Sequence, residues 1–203
     1  MRGLAFLLLA VSLAATAQTP IEAKTILVLG DSISAGYGIQ RDQGWVALLE
    51  ARVATLPDRH QVVNASISGD TTGGALARLP RALEIHKPAV VIIELGGNDG
   101  LRGYPVDRIE QNLDTMITLS KKAGATVLVL GMQIPPNYGQ RYTRAFHQVF
   151  SDAASRSGAV LVPFLLDGVA TDAALMQADG IHPTAAAQPR LLDNVWPALD
   201  ALL

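Results

Sequence analysis

The chain has 203 residues, 16 Lys and Arg against 18 Asp and Glu, a net charge of −2, four His and no Cys. That length suits one domain whose core is large enough to fold without a metal or disulfide staple, and an apolar content of 49% excludes an intrinsically disordered chain. A near-balanced charge without a basic run argues against nucleic-acid binding, and the absence of Cys removes Cys-ligated metals, iron–sulfur clusters and Cys nucleophiles.

Residues 1–17 read as a secretory signal peptide. Arg2 supplies the positive start, Leu4 to Ala15 the apolar run, and Ala15-Thr16-Ala17 a small-x-small cleavage site. The run is too short for a membrane span, and as a buried helix it would lack a polar face and a cap. A single domain over 18–203, exported to the bacterial periplasm or secreted, is therefore expected. No basic amphipathic helix argues for stable membrane residence.

The rest of the chain alternates strand and helix. Thr25 to Leu29 is a β-branched and leucine run closed by Gly30. Gly44 to Thr55 carries Trp45, Leu48, Leu49 and Val53 near helical spacing and stops before Pro57, and Gln61 to Ala65 reads as the next strand. Thr71 to Lys87 reads as a helix that Pro80 kinks or begins. Ala89 to Ile93 is a continuous apolar strand. Pro105 suits a helix start, and Ile109, Leu113, Met116, Ile117 and Ser120 follow it on one face as far as Gly124. Thr126 to Leu130 is a fourth strand, Tyr142 to Ser157 a helix stopped by Gly158, and Ala159 to Val162 a fifth strand. Residues 184–203 read as a last helix interrupted by Pro189 and Pro197. Trp45 and Trp196 read as packing residues. Strands that are apolar throughout are buried on both faces, so the expected fold is α/β, a mostly parallel five-stranded sheet between helices. Ligands of such sheets bind outside the carboxyl ends of the strands.

Four polar clusters satisfy that placement. Gly30-Asp31-Ser32-Ile33-Ser34 follows the first strand and can project the Ser32 hydroxyl from a tight turn. Asn64 to Thr71 follows the second, with Gly69 offering a backbone N–H. Glu94 to Gly100 follows the third, with Asn98 able to donate a side-chain N–H to a developing oxyanion. Asp179-Gly180-Ile181-His182-Pro183 precedes the last helix and sets a carboxylate three residues before an imidazole. Each cluster alone also reads as an ordinary turn or helix cap. Together they supply nucleophile, base, orienting carboxylate and oxyanion donors, the parts of an acyl-transfer site. Asp31 and Asp70 read as capping or supporting residues rather than catalytic ones.

These blocks resemble those of the SGNH/GDSL hydrolase family, as Gly30-Asp31-Ser32, Gly69, Gly97-Asn98-Asp99 and Asp179-Gly-Ile-His182. NASISGDT (64–71), ELGGNDGLRG (94–103), PNYG (136–139) and AAQP (186–189) are similar to its periplasmic thioesterase/protease/lysophospholipase and bacterial arylesterase branch. The resemblance covers residues 24–203 and departs from the family at Pro105 and over 164–176; the second departure leaves the fine substrate preference open and the chemistry unaffected. It implies a flavodoxin-like three-layer α/β/α sandwich and a serine esterase acting on acyl esters and thioesters, aryl esters and lysophospholipids among them. The triad would be Ser32, Asp179 and His182, and the oxyanion hole Ser32, Gly69 and Asn98. No metal or cofactor is implied, and the chain is expected to be a monomer. Leu76, Leu79 and Pro80 beside Gly69, and Ile134 and Pro135 after the fourth strand, are the candidates for an acyl-binding wall. Rival readings are a carbohydrate O-acetyl esterase, a non-catalytic periplasmic binding module, and a nucleotide-binding α/β protein; the last lacks a P-loop and a G-x-G-x-x-G after the first strand.

Overall fold

The computed structural model describes residues 23–203, so the leader expected at 1–17 lies outside the described residues. Five strands, β1 (Lys24–Gly30), β2 (His60–Asn64), β3 (Val90–Glu94), β4 (Thr126–Leu130) and β5 (Val160–Val162), form one sheet in the order β2-β1-β3-β4-β5. Every pairing is parallel. Ile26 to Leu29, Val91 to Ile93 and Val127 to Leu130 have no exposed surface, as runs without polar alternation require.

Helices cover both faces. The helices α2 (Trp45–Val53) and α7 (Gln188–Asp200) pack together on one side; α3 (Thr72–His86), α5 (Val106–Lys122) and α6 (Gln140–Ser157) pack in series on the other. Ile109, Leu113, Met116, Ile117 and Ser120 of α5 are the buried face expected from their spacing. Phe146 and Phe150 of α6 meet edge to face at 5.3 Å. Three prolines behave differently from the expectation. Pro80 lies inside a continuous α3 and Pro197 inside a continuous α7, each on the exposed side, and Pro189 occupies the first turn of α7, where its missing N–H costs nothing. Two short helices went unforeseen: α1 (Ser32–Ala35) directly after β1 and α4 (Gly97–Leu101) after β3.

The strand order reverses between β1 and β3, which opens a crevice at their carboxyl ends. Glu94, the last residue of β3, lies opposite Gly30 and is fully buried. Its Oε2 accepts hydrogen bonds from the Ser34 hydroxyl (2.6 Å) and from the amides of Asp31 (3.2 Å) and Ser34 (3.3 Å). The Trp45 indole N–H donates to the same Ser34 hydroxyl (3.2 Å). Oε1 has no hydrogen-bond partner. Burial foremost, and the neighbouring Asp31 charge second, hold the Glu94 carboxyl well above its usual pKa.

A folded-state pKa above the unfolded value means that wild-type stability is lost as pH rises past the unfolded value. Glu94→Gln keeps the Oε2 acceptor and removes the titration. Denaturant unfolding at pH 5 and pH 8 is expected to show the variant gaining on wild type with rising pH; an equal difference at both would mean that Glu94 titrates alike folded and unfolded.

Candidate active site

Ser32 opens α1, which follows β1 without a loop, so its backbone is fixed by the central strand. Asp31 caps this helix by accepting from the Ile33 amide (3.1 Å) through Oδ1. Its Oδ2 accepts from the Asn98 side chain (3.1 Å), which arrives from α4 on the other side of the crevice. Burial raises the Asp31 pKa to about 6, against the opposing effect of these two bonds. Asn98 retains a second N–H.

Gly69 lies in the turn between β2 and α3. The Ile67 amide donates to Gly30 O (3.0 Å) and the Asp70 amide to Ile67 O (3.1 Å), and Gly69 takes a φ of +81° that suits a residue without Cβ. Arg78 ties the turn down by donating to Asp70 Oδ2 (2.9 Å) and Ala65 O (2.5 Å), while Arg102 at the end of α4 donates to Gly69 O (3.1 Å). Asp70 is thus a supporting residue, and Thr71 caps α3 by accepting from Gly74 N.

His182 and Asp179 share one loop before α7. Asp179 Oδ1 accepts from the amides of Ile181 (2.9 Å) and His182 (3.0 Å), and Oδ2 lies 2.7 Å from His182 Nδ1. Those bonds, the His182 amide first, lower the Asp179 pKa to about 2. An ionised acceptor there places the proton on Nδ1 and leaves Nε2 as an acceptor. Nε2 lies 2.8 Å from Ser32 Oγ. Carboxylate, imidazole and hydroxyl therefore form one hydrogen-bonded line, with Ser32 only 9% exposed.

Beside this line is a cleft of about 440 Å³ whose walls include Met132, Ile134, Pro135, Phe164, Leu166 and Met176 and which Asp31, Ser32, Asn98 and His182 also line. Ile134 and Pro135 are where the sequence suggested an acyl wall. Leu76, Leu79 and Pro80 are not on the wall: Leu79 is in the core, Leu76 packs against that core, and Pro80 is exposed on α3. The helical period that spaces these residues turns their apolar side to the sheet. Phe164, Leu166 and Met176, which replace them, come from the segment following β5. The strand-end rule used for Ser32 points to that segment too, but its side chains form no recognisable polar cluster.

The two groups separate by experiment. Leu79→Ala is expected to lower stability by about 2–5 kcal/mol and to leave the affinity for a medium-chain fatty acid, read by calorimetry, unchanged once folded. Phe164→Ala is expected to weaken that affinity with little loss of stability.

A model of the GDSL-like Lipase/Acylhydrolase family matches residues 28–189. The chain is 57% identical over 181 residues to Esterase TesA of Pseudomonas aeruginosa, covering 89% of this chain and 90% of that protein. A crystal structure of TesA, also 57% identical, superposes with a TM-score of 0.87 over 89% of this chain and 100% of that one. An arylesterase of Vibrio mimicus is 45% identical over 84% of this chain and 85% of its own length. The thioesterase 1/protease 1/lysophospholipase L1 of Escherichia coli is 43% identical over 89% and 86% respectively. The chain belongs to the GDSL-like lipase/acylhydrolase family and is a serine hydrolase of carboxylic esters.

Proposed function

We propose that Ser32 is the nucleophile, His182 the base, Asp179 its orienting carboxylate, and that acyl esters and thioesters are cleaved through an acyl-enzyme on Ser32. The observation that carries this is the line Asp179 Oδ2–His182 Nδ1–His182 Nε2–Ser32 Oγ, with separations of 2.7 and 2.8 Å. His182 takes the Ser32 proton as Oγ attacks the acyl carbonyl. The imidazolium is stabilised by Asp179 and returns the proton to the leaving alcohol or thiol. Water, deprotonated by His182, then releases the acid. The oxyanion is met by the amide N–H of Ser32, the amide N–H of Gly69 and the free N–H of Asn98.

The apolar wall of the cleft favours acyl chains longer than acetyl, which sets this reading ahead of a carbohydrate O-acetyl esterase. The names of the relatives extend the substrate range to aryl esters, acyl thioesters and lysophospholipids. The leader at 1–17 supports export to the bacterial periplasm, where the mature chain acts as a monomer. Among the described residues no helix is long and apolar enough to cross a membrane.

The test is hydrolysis of aryl esters and acyl thioesters of rising chain length by residues 18–203 and by two variants. Ser32→Ala is expected to abolish turnover, and Asn98→Ala to lower it by about 10²–10³ while remaining folded. Activity surviving in Ser32→Ala would overturn the nucleophile; an acetyl-only profile would turn the reading towards deacetylation.

A further inference from the structure

Asp179 and His182 lie on the same loop, so their bond orients the imidazole within that loop and does not set its distance from Ser32, which is 150 residues away. The loop is exposed at Asp179, Gly180 and Ile181. The bridge between Met176 and Pro183, and the Thr184 amide donating to Leu175 O (2.8 Å), shape the loop internally. Something else must hold it against the end of α1.

Gln177 makes that connection. Its side-chain N–H₂ donates to Tyr37 O (2.8 Å) and to Pro183 O (3.0 Å), and its backbone amide donates to His182 O (2.7 Å). The Tyr37 amide in turn donates to Ser32 O (3.0 Å). A second path therefore runs from nucleophile to base, from Ser32 through Tyr37 and Gln177 to the two residues His182 and Pro183. Among the described residues, the hydrogen bonds from residues 177–183 to the chain between Ser32 and Tyr37 are this one from Gln177 and the Ser32–His182 bond itself. The Tyr37 ring completes the path: it lies against the imidazole with centroids 4.5 Å apart, tilted by 39°. Gly38, at a φ of +75°, turns the chain after Tyr37, and a Cβ there would collide with the Gln177 amide.

Resting on the assignment of Ser32 and His182 as nucleophile and base, we propose that Gln177 is a positioning residue whose two-carbonyl clamp on Tyr37 and Pro183 fixes His182 Nε2 within reach of Ser32 Oγ. Gln177 touches neither the reacting atoms nor the wall of the acyl cleft, so its effect falls on catalysis rather than on acyl binding. A misplacement of about 1 Å at the reacting atoms is enough to cost about a hundredfold.

Gln177→Leu keeps the volume and removes both donors; Gln177→Glu keeps the shape and turns a carboxylate towards two carbonyls. Both are expected to lower kcat, counted per phosphonate-titrated site, by about ten- to a hundredfold with KM essentially unchanged. The low-field proton signal of His182 Nδ1–H should broaden through faster solvent exchange. A merely structural role would lower the melting temperature and leave kcat per titrated site and the proton signal as in wild type, and that result overturns the proposal. If both variants fail to fold, Gly38→Ala decides, because it displaces the Gln177 amide with Gln177 still present: the same kcat-selective loss supports the clamp, and wild-type kcat with a sharp Nδ1 signal refutes it. Absence of Ser32-dependent hydrolysis in wild type would sink the triad assignment instead, and the Nδ1 signal would still report whether Gln177 restrains the loop.

Discussion

The structure depends on one pairing: β1 beside β3 in parallel, in a register that sets Gly30 against Glu94. Both strands end at the same level, and the chain leaves them as two short helices, α1 and α4. Ser32, the proposed nucleophile, is carried by one and Asn98, the proposed oxyanion donor, by the other. Asp31 joins the two through its bonds to Ile33 and Asn98. Because both strands are buried in the sheet, neither group can shift without disturbing the core, which is the rigidity that electrostatic stabilisation of a transition state requires.

Three carboxyls near the site differ in ionisation because their surroundings differ. Glu94 is sealed in the core, where burial and the Asp31 charge outweigh its three donors and hold its pKa well above the ordinary value; burial raises Asp31 to about 6 against its bonds from Ile33 and Asn98. Asp179 is half open to solvent and accepts three bonds from its own loop, which lower its pKa to about 2. The acid that must stay charged to support an imidazolium is thus the exposed one. The acid that shapes the turn carrying Ser32, Glu94, is the one that burial pushes well above its usual value.

Much of this was legible in the residues. Continuous apolar runs such as Ala89 to Ile93 marked buried strands, and polar clusters directly after strands brought Ser32 and Asn98 to one cleft. The Asp179–His182 spacing also carried its own geometry, because three residues suffice for a carboxylate to reach both the amide and the ring. The acyl wall was harder. Leu76 and Leu79 looked suitable by proximity to Gly69, yet helical periodicity turns Leu79 inward. Phe164, Leu166 and Met176 come from an irregular segment whose direction no period fixes. Glu94 and Gln177 were equally hidden, since a buried acid and a clamping amide are recognised by their partners, and Ser34 lies 60 residues from Glu94 and Tyr37 lies 140 from Gln177. An acidic residue closing an otherwise apolar strand was the one available signal for Glu94.

The separation of Ser32 and His182 along the chain has a consequence for when the enzyme comes into being. Ser32 opens α1 directly after the first strand, and His182 lies beyond the fifth, just ahead of α7. No partial fold of the amino-terminal half can contain a working line of Asp, His and Ser. The line is complete only when the carboxyl-terminal segment is seated on the sheet that carries Ser32. On the assignment of Ser32 and His182 as nucleophile and base, hydrolytic activity and complete folding are therefore acquired together.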